Sequence, residues 1–380
     1  MTDLLLTEDE LLLRRTVRDF ADKVLIPKAA DYDQRGEFPR DNVRGLADLG
    51  LYGLTVDEQY GGSGGNFAQL AIASEEVARG CASTSVIWLA HHSLGTKFIE
   101  NFGSEEQKSE YVPPLASAEK IAAFGLTEPG AGSDAAGIQT RATRSNGRYL
   151  LNGSKTFITN AVEADVFVVM ATIDPALRAK GITGFIVPRD AKGFTVTPLK
   201  GKMGIRASST AELHFEDTPV PIENRIGGEG EGFSMIMELL DASRIGIGAQ
   251  AVGIAQGALE AAISYAKQRQ AFGKRLADMQ ALQFTLADMA TQVDAARLLV
   301  RRAAQLFDSG NPFVAEAAMA KLYASRAAVE VADRALQLHG GSGYFAPATV
   351  ERLYRDAKVT EIYEGTSEIQ RLIIARNLLV

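Results

Sequence analysis

The sequence predicts an α+β chain, mainly α, in which a helical N-terminal region and a C-terminal helical bundle flank a middle antiparallel β domain. Three observations carry that prediction. Met279, Leu282, Leu286, Met289, Val293, Ala296, Val300, Ala303 and Phe307 step by alternating three and four, which keeps one stripe of a long helix against a partner. The segments RYLLNGSKTFIT, DVFVVMA, ITGFIVP, FTVTPL and STAELHF read as strands, with Asn146-Gly147 and Asn152-Gly153 as turn signals. Over residues 8–120 short helical patterns, among them Leu11, Leu12, Val17, Phe20 and Ala21, are broken at Pro27, Pro39, Gly50 and Gly53.

These textures place the domain boundaries at 1–120, 121–228 and 229–380. The glycine-rich stretch QYGGSGGN lacks the Lys-Ser/Thr of a phosphate loop, so it reads as a flexible lead-in to a helix. The strands are too closely spaced for crossover helices, which predicts an antiparallel barrel or sandwich. After residue 228 two alanine-rich segments, 233–267 and 313–338, flank the long striped helix, and their small side chains suit close helix approach in a bundle.

Composition narrows the function. With 380 residues, 46% hydrophobic and 23% charged, the chain is an ordinary globular one with a large core. A net charge of −7 and a pI near 5.4 argue against a nucleic-acid surface. One cysteine, Cys81, and four histidines exclude an internal disulfide and a thiolate-rich metal site, so no metal is expected. Asp3, Glu8, Asp9 and Glu10 stand where a targeting segment wants basic residues, and no apolar run reaches the ~18 residues of a membrane span. A cytoplasmic protein without membrane contact is the expectation.

The C-terminal stretch EIYEGTSEIQ poses a specific problem. Ser367 and Gln370 have the spacing of a capping box. Glu364 lies just outside it, where it does not serve the helix dipole as Glu368 would. Other polar, glycine-rich islands are FGLTEPGAGSD, KTFITN, ASRIGIG, KQRQAFGKRL and QLHGGSGY. No H-E-x-x-H and no G-x-G-x-x-G following a strand is present, which argues against zinc-protease and nicotinamide chemistry.

In this order and spacing the islands resemble the acyl-CoA dehydrogenase family over essentially the whole chain. The likeness is strongest to its short-chain, butyryl-CoA-type members in SRIGIGAQAVGIAQGALEAAISYAKQRQAFGKRL and RDAKVTEIYEGTSEIQRLI. The resemblance implies a C-terminal four-helix bundle, a homotetramer built as a dimer of dimers, one FAD per subunit, and electrons passed to an electron-transfer flavoprotein. It implies that Glu364 is the base that removes the α-proton of an acyl-CoA while the β-hydrogen leaves as hydride to flavin N5. The Glu364 backbone N–H would hold the thioester carbonyl, with Gly365 leaving room.

Some relatives place the base at the position of Ser243, which commits this chain to Glu364. The resemblance assigns Asp241 and Arg244 to the adenine side of CoA, their plainer reading being a helix-surface ion pair. It assigns Thr127, Phe157 and Thr159 to the flavin ring, and Ser133 to FAD pyrophosphate or CoA. Arg269, Phe272, Gln337, Gly340 and Gly341 would reach FAD across a subunit interface, and Thr366 and Glu368 would contact adenosine. Phe157 and Glu368 depart from the Trp and Gln common at those positions. Bulky Trp88, His91 and His92 fall in the helix expected to border the acyl tail, which favours short chains of about four to six carbons, 2-methyl-branched ones included. No arginine stands there to bind a second carboxylate, against a glutaryl-type enzyme. The rival readings are an acyl-CoA oxidase using O2 and a flavin-free helical binding protein on the same scaffold.

Overall fold

The structure, a computed structural model, describes residues 6–379; Asp3 lies outside them. Seven helices come first: α1 (Glu8–Phe20), α2 (Ile26–Arg35), α3 (Arg40–Asp48), α4 (Phe67–Gly80), α5 (Ala82–Leu89), α6 (Lys97–Phe102) and α7 (Glu105–Ala116). Thr7 and Glu10 form a capping box on α1, and Asn66 and Gln69 form one on α4. The glycine-rich stretch is therefore a helix lead-in. The start of α4 is also held from outside, because the Asp308 carboxylate accepts from Phe67 N at 2.8 Å and Ala68 N at 2.9 Å. Between α5 and α6 residues Ala90–Thr96 widen into a π-helix.

Strands β1 (Ala122–Gly125), β2 (Arg141–Ser145), β3 (Arg148–Thr159), β4 (Val166–Thr172), β5 (Ile182–Pro188), β6 (Phe194–Pro198), β7 (Thr210–Pro221) and β8 (Arg225–Ile226) make one sheet in the order β6-β7-β3-β2-β4-β5-β8. Most neighbours are antiparallel, as short connections require. β4 is the exception, running parallel to β1 and, at one residue pair, to β2. The chain reaches β4 from β1 through the intervening β2–β3 hairpin, so no crossover helix is needed. β3 is irregular between Lys155 and Ile158, and this bulge turns Phe157 outward at φ 61° and 69% exposure.

Four helices then dominate: α8 (Gly232–Gln268), α9 (Gln280–Asp308), α10 (Val314–His339) and, after α11 (Thr349–Ala357), α12 (Ser367–Leu378). A short hairpin of β9 (Gln270–Ala271) and β10 (Lys274–Arg275) joins α8 to α9. Met289, Val293, Ala296, Val300 and Ala303 of the α9 stripe are buried, whereas Leu282 and Leu286 are half-covered. Eight of the eleven buried residues of α10 are alanine, which lets it lie close to α8. Against the other face of α8 sits α4, with Gly253 and Gly257 at the crossing. This stack of α4, α8 and α10 sets the position of the site.

Candidate active site

Glu364 leaves the chain just before α12. Its φ is 50° and that of Gly365 is 93°, two successive residues in the left-handed region. The turn directs the Glu364 side chain to α8, where Ser243 Oγ donates to its Oε2 at 2.5 Å. No acceptor among the described residues takes the Glu364 backbone N–H. Removal from water pushes the carboxyl above its ordinary pKa, opposed by the Ser243 hydroxyl and the charges of Lys321 and Arg244. An isolated buried carboxyl would become neutral; these three neighbours favour the ionised form.

The turn is held by its carbonyls. Lys321 of α10, fully buried, donates from Nζ to Gly365 O at 2.7 Å, and Gln370 Nε2 donates to the same oxygen at 2.8 Å. The expected Ser367–Gln370 capping box does not form. Thr366 is the cap, its Oγ1 accepting from Ile369 N at 3.4 Å, and Ser367 Oγ is buried without a partner. Gln370 is drawn to the Gly365 carbonyl, a need the helix-start pattern does not contain. A Cβ at Gly365 would meet Gln370 Nε2 at 2.7 Å, so the room left by this glycine is occupied from within.

Asp241 and Arg244 do pair, at i,i+3 on α8. Arg244, however, is 3% exposed, its Nε is buried without a partner, and its charge acts on Glu364. The predicted ion pair thus forms, but Arg244 is buried beside Glu364 and does not lie on an open helix surface. Asp241 keeps an exposed edge.

A second group forms around the bulge in β3. Thr156 N donates to Thr127 O at 2.9 Å, so the LTEPG loop lies beside Phe157 and Thr159. Beneath it Lys155 and Glu128 form a buried ion pair at 2.7 Å, and Glu128 also accepts from Gln139 N and Thr140 N. Asn160 Nδ2 donates to Ile87 O at 2.8 Å, tying the end of β3 to α5. α5 in turn meets α8 through Gln250 Nε2 to Ala82 O, 3.2 Å, and through Leu89 against Gly246. The Thr127–Phe157–Thr159 group and Glu364 are thereby fixed to the same helix pair. Ser133 is exposed on the loop beyond Pro129.

Arg269, Phe272, Gln337, Gly340 and Gly341 collect elsewhere, at the exposed far end of the bundle, where Tyr265 stacks on His339 at 4.2 Å between ring centroids. Gln337 lies sixteen residues beyond Lys321 on α10, about 24 Å at the helical rise. One chain does not bring this set to its own Glu364. Thr366 sits beside the Glu364 turn, while Glu368 faces solvent and pairs with Arg371.

Three family models match the chain: acyl-CoA dehydrogenase, N-terminal domain, over residues 7–119; middle domain, over 123–218; and C-terminal domain, over 230–379. The chain belongs to the acyl-CoA dehydrogenase family. A short-chain specific acyl-CoA dehydrogenase of Clostridium acetobutylicum is 48% identical over 373 residues, 98% of each chain. The structure of butyryl-CoA dehydrogenase from Megasphaera elsdenii superposes with a TM-score of 0.96 at 43% identity, covering 99% of both chains. A chain in a structure of the electron transferring flavoprotein of Acidaminococcus fermentans gives a TM-score of 0.96 at 45% identity over 98% of each. The protein is thus a flavoprotein oxidoreductase of the acyl-CoA dehydrogenase type, and the flavin-free alternative falls away.

In the dehydrogenase Trp88, His91 and His92 are fully buried and held by the fold's own polar groups. Trp88 Nε1 donates to Leu51 O at 2.9 Å. His91 spans Leu115 O and Ala122 N, and His92 spans Tyr52 O and the Thr55 hydroxyl, so every ring nitrogen is engaged by the fold. Leu89 packs against Gly246 of α8. Burial holds His91 down to about 4 and His92 to about 3, from 6.5. A depressed histidine contributes stability above its unfolded pKa and loses it as pH falls, because only the unfolded chain takes up the proton. Asp356, pushed up to about 6 by burial, works in the opposite sense between about 6 and its ordinary 3.8. Each histidine is expected to remove about 2 kcal/mol between pH 6.5 and 5. Thermal melts of His92→Gln should therefore show a shallower loss of Tm over that interval than the parent; an identical slope would refute the assignment.

Sequence reasoning left out Lys321, the bond from Ser243 to Glu364, and the Lys155–Glu128 pair. Lys321 carried a signal: with Ala317, Ala324 and Ala328 it lies on the helical stripe that alanine otherwise fills, and a lone cation on an apolar stripe asks for a buried acceptor.

Proposed function

We propose that the dehydrogenase oxidises short acyl-CoA thioesters, of about four to six carbons and including 2-methyl-branched chains, to trans-2-enoyl-CoA. Glu364 is the base. The observation that carries this reading is the pairing, on one residue, of a buried carboxyl that accepts from Ser243 Oγ beside Lys321 and Arg244 and a backbone N–H that no acceptor among the described residues takes. A thioester whose carbonyl accepts that N–H becomes acidic at its α-carbon, since the developing enolate charge is stabilised where it forms. The same turn sets the carboxylate to receive the α-proton, and desolvation makes it a stronger base than a solvated glutamate.

The free groups fit FAD. The Thr127 and Thr159 hydroxyls and the Arg269 guanidinium have no partner among the described residues, and Gly340 and Gly341 leave open space where a Cβ would stand. Bound there, the flavin supplies the two-electron acceptor for the β-hydride. Thr127, Phe157 and Thr159 would hold the ring, with Ser133, Thr366 and Glu368 toward the remainder of the cofactor and Asp241 toward CoA. A rigid guanidinium fork such as Arg269 suits pyrophosphate. Because Arg269, Phe272, Gln337, Gly340 and Gly341 sit about 24 Å along α10 from the base region, they serve a neighbouring subunit's FAD in a homotetramer of three-domain chains divided at 120/121 and 228/229. Electrons pass to an electron-transfer flavoprotein, a reading supported by the likeness to the Acidaminococcus fermentans chain.

Chain length is limited by α8. Gln250 lies seven residues beyond Ser243 on α8, about 10 Å, and is bridged by the Tyr363 hydroxyl and by its own bond to Ala82 O. Each further methylene of a substrate would gain ~0.8 kcal/mol if room existed, but displacing this buried bridge leaves polar groups unpaired, which costs more. Comparison of kcat/KM for butyryl-, isobutyryl-, 2-methylbutyryl-, octanoyl- and palmitoyl-CoA should rank the short substrates first, with octanoyl-CoA improved in Gln250→Ala. A wild-type preference for octanoyl- or palmitoyl-CoA would overturn the limit. Turnover in air should reduce added electron-transfer flavoprotein; hydrogen peroxide formed in step with turnover would instead make the enzyme an oxidase.

A further inference from the structure

Lys321 is the one buried cation that touches the Glu364 turn by a hydrogen bond. Its side chain is fully buried, it forms no ion pair among the described residues, and its single hydrogen bond is to Gly365 O at 2.7 Å. An ammonium in such a place loses its hydration for one carbonyl, a poor exchange if stability were its purpose. Methionine would fill the same alanine-lined stripe of α10 without that loss. The carbonyl it holds belongs to two successive left-handed residues, a conformation that persists only where surrounding contacts impose it.

We propose that Lys321 is a positioning residue for proton abstraction: it clamps the Gly365 carbonyl so that the Glu364 carboxylate and N–H keep their places, and its charge keeps that carboxylate ionised before substrate arrives. Gln370, the second donor to Gly365 O, shares the first task but not the second. The other charged and titratable groups near this turn are Arg244 and Asp241 from α8, Tyr363 and Glu361 before the turn, and the solvent-facing Glu368 on α12. Arg244 also acts on Glu364 but is paired with Asp241, whereas Lys321 has no carboxylate within salt-bridge distance.

The inference rests on Glu364 being the base, and the test separates the two. FAD-loaded Lys321→Met, Lys321→Arg, Gln370→Leu and Glu364→Gln tetramers would be compared by rapid flavin reduction with butyryl-CoA across pH, alongside thermal melts and flavin content. Lys321→Met should melt at or above the parent temperature with full flavin, reduce its flavin about 10²-fold more slowly, and show its acidic limb moved up by at least about one pH unit. Lys321→Arg should restore the limb. Gln370→Leu should slow reduction while leaving the limb in place. A Lys321→Met protein with parental rate and limb, or one that loses flavin and Tm in proportion to activity with the limb unmoved, overturns the proposal; so does failure to fold, which would make Lys321 a folding residue. Retained activity in Glu364→Gln would refute the base itself, whereas an inactive Glu364→Gln beside a normal Lys321→Met refutes only the clamp.

Discussion

Glu364→Gln is expected to bind flavin and acyl-CoA as the parent does and to reduce its flavin by a factor of at least ~10²–10⁴ more slowly. The substitution keeps the shape of the side chain, and the Ser243 hydroxyl that now donates to Glu364 Oε2 can donate equally to a carboxamide oxygen. The left-handed turn, its two carbonyl clamps and the unused backbone N–H all remain, so substrate orientation is preserved. What disappears is the group that accepts the α-proton. Stopped-flow bleaching with butyryl-CoA measures the step directly, and titration of bound acyl-CoA confirms that binding survives. Bleaching at close to the parental rate would require another base, and Ser243, the residue in contact, has no carboxylate to offer.

The largest expected effect on stability lies far from the chemistry, at Gly253. A Cβ there would meet Glu75 O at 2.2 Å, Ala78 Cβ at 2.8 Å and Arg79 N at 2.9 Å. Two of those atoms are backbone of α4, so no side-chain rotation relieves the clash. Valine would gain at most a few tenths of a kcal/mol in helix propensity over glycine, against about 3 kcal/mol or more from forced separation of packed helices. Separation would also pull Arg79 of α4 from Glu260 of α8, now 3.0 Å away. Gly253→Val should melt at least about 5 °C lower and lose flavin with it, whereas a Tm within 1–2 °C of the parent would mean that α4 slides to accommodate the side chain.

How much of this was legible beforehand depends on the residue. Glu364 was marked out by a local conflict: a glutamate one step outside a helix start has no use there for the helix dipole. That argument survives even though the cap itself moved from Ser367 to Thr366, because both rest on short-range backbone chemistry and differ only in which hydroxyl wins. The stripe on α9 was equally plain, since periodicity is a property of consecutive residues. For Trp88, His91 and His92 the hydrogen-bond partners were not legible. Their bulk and polarity are visible in sequence, but the carbonyls of Leu51, Tyr52 and Leu115 that engage them come from distant segments.

By itself the sequence determined the α+β class, the long striped helix, the strands β3 to β7, and the family to which the islands belong. Each of these follows from local pattern, composition or motif spacing. Only the tertiary structure decided that Ser243 bonds Glu364, that Arg244 is buried beside it, that Lys321 donates to the Gly365 carbonyl, and that the Tyr363 hydroxyl donates to Gln250 of α8. These are contacts between residues 44 to 121 positions apart, apart from the burial of Arg244. A buried polar group must find a partner wherever the packing of α4, α8 and α10 puts one within reach, and no spacing along the chain encodes which residue that will be.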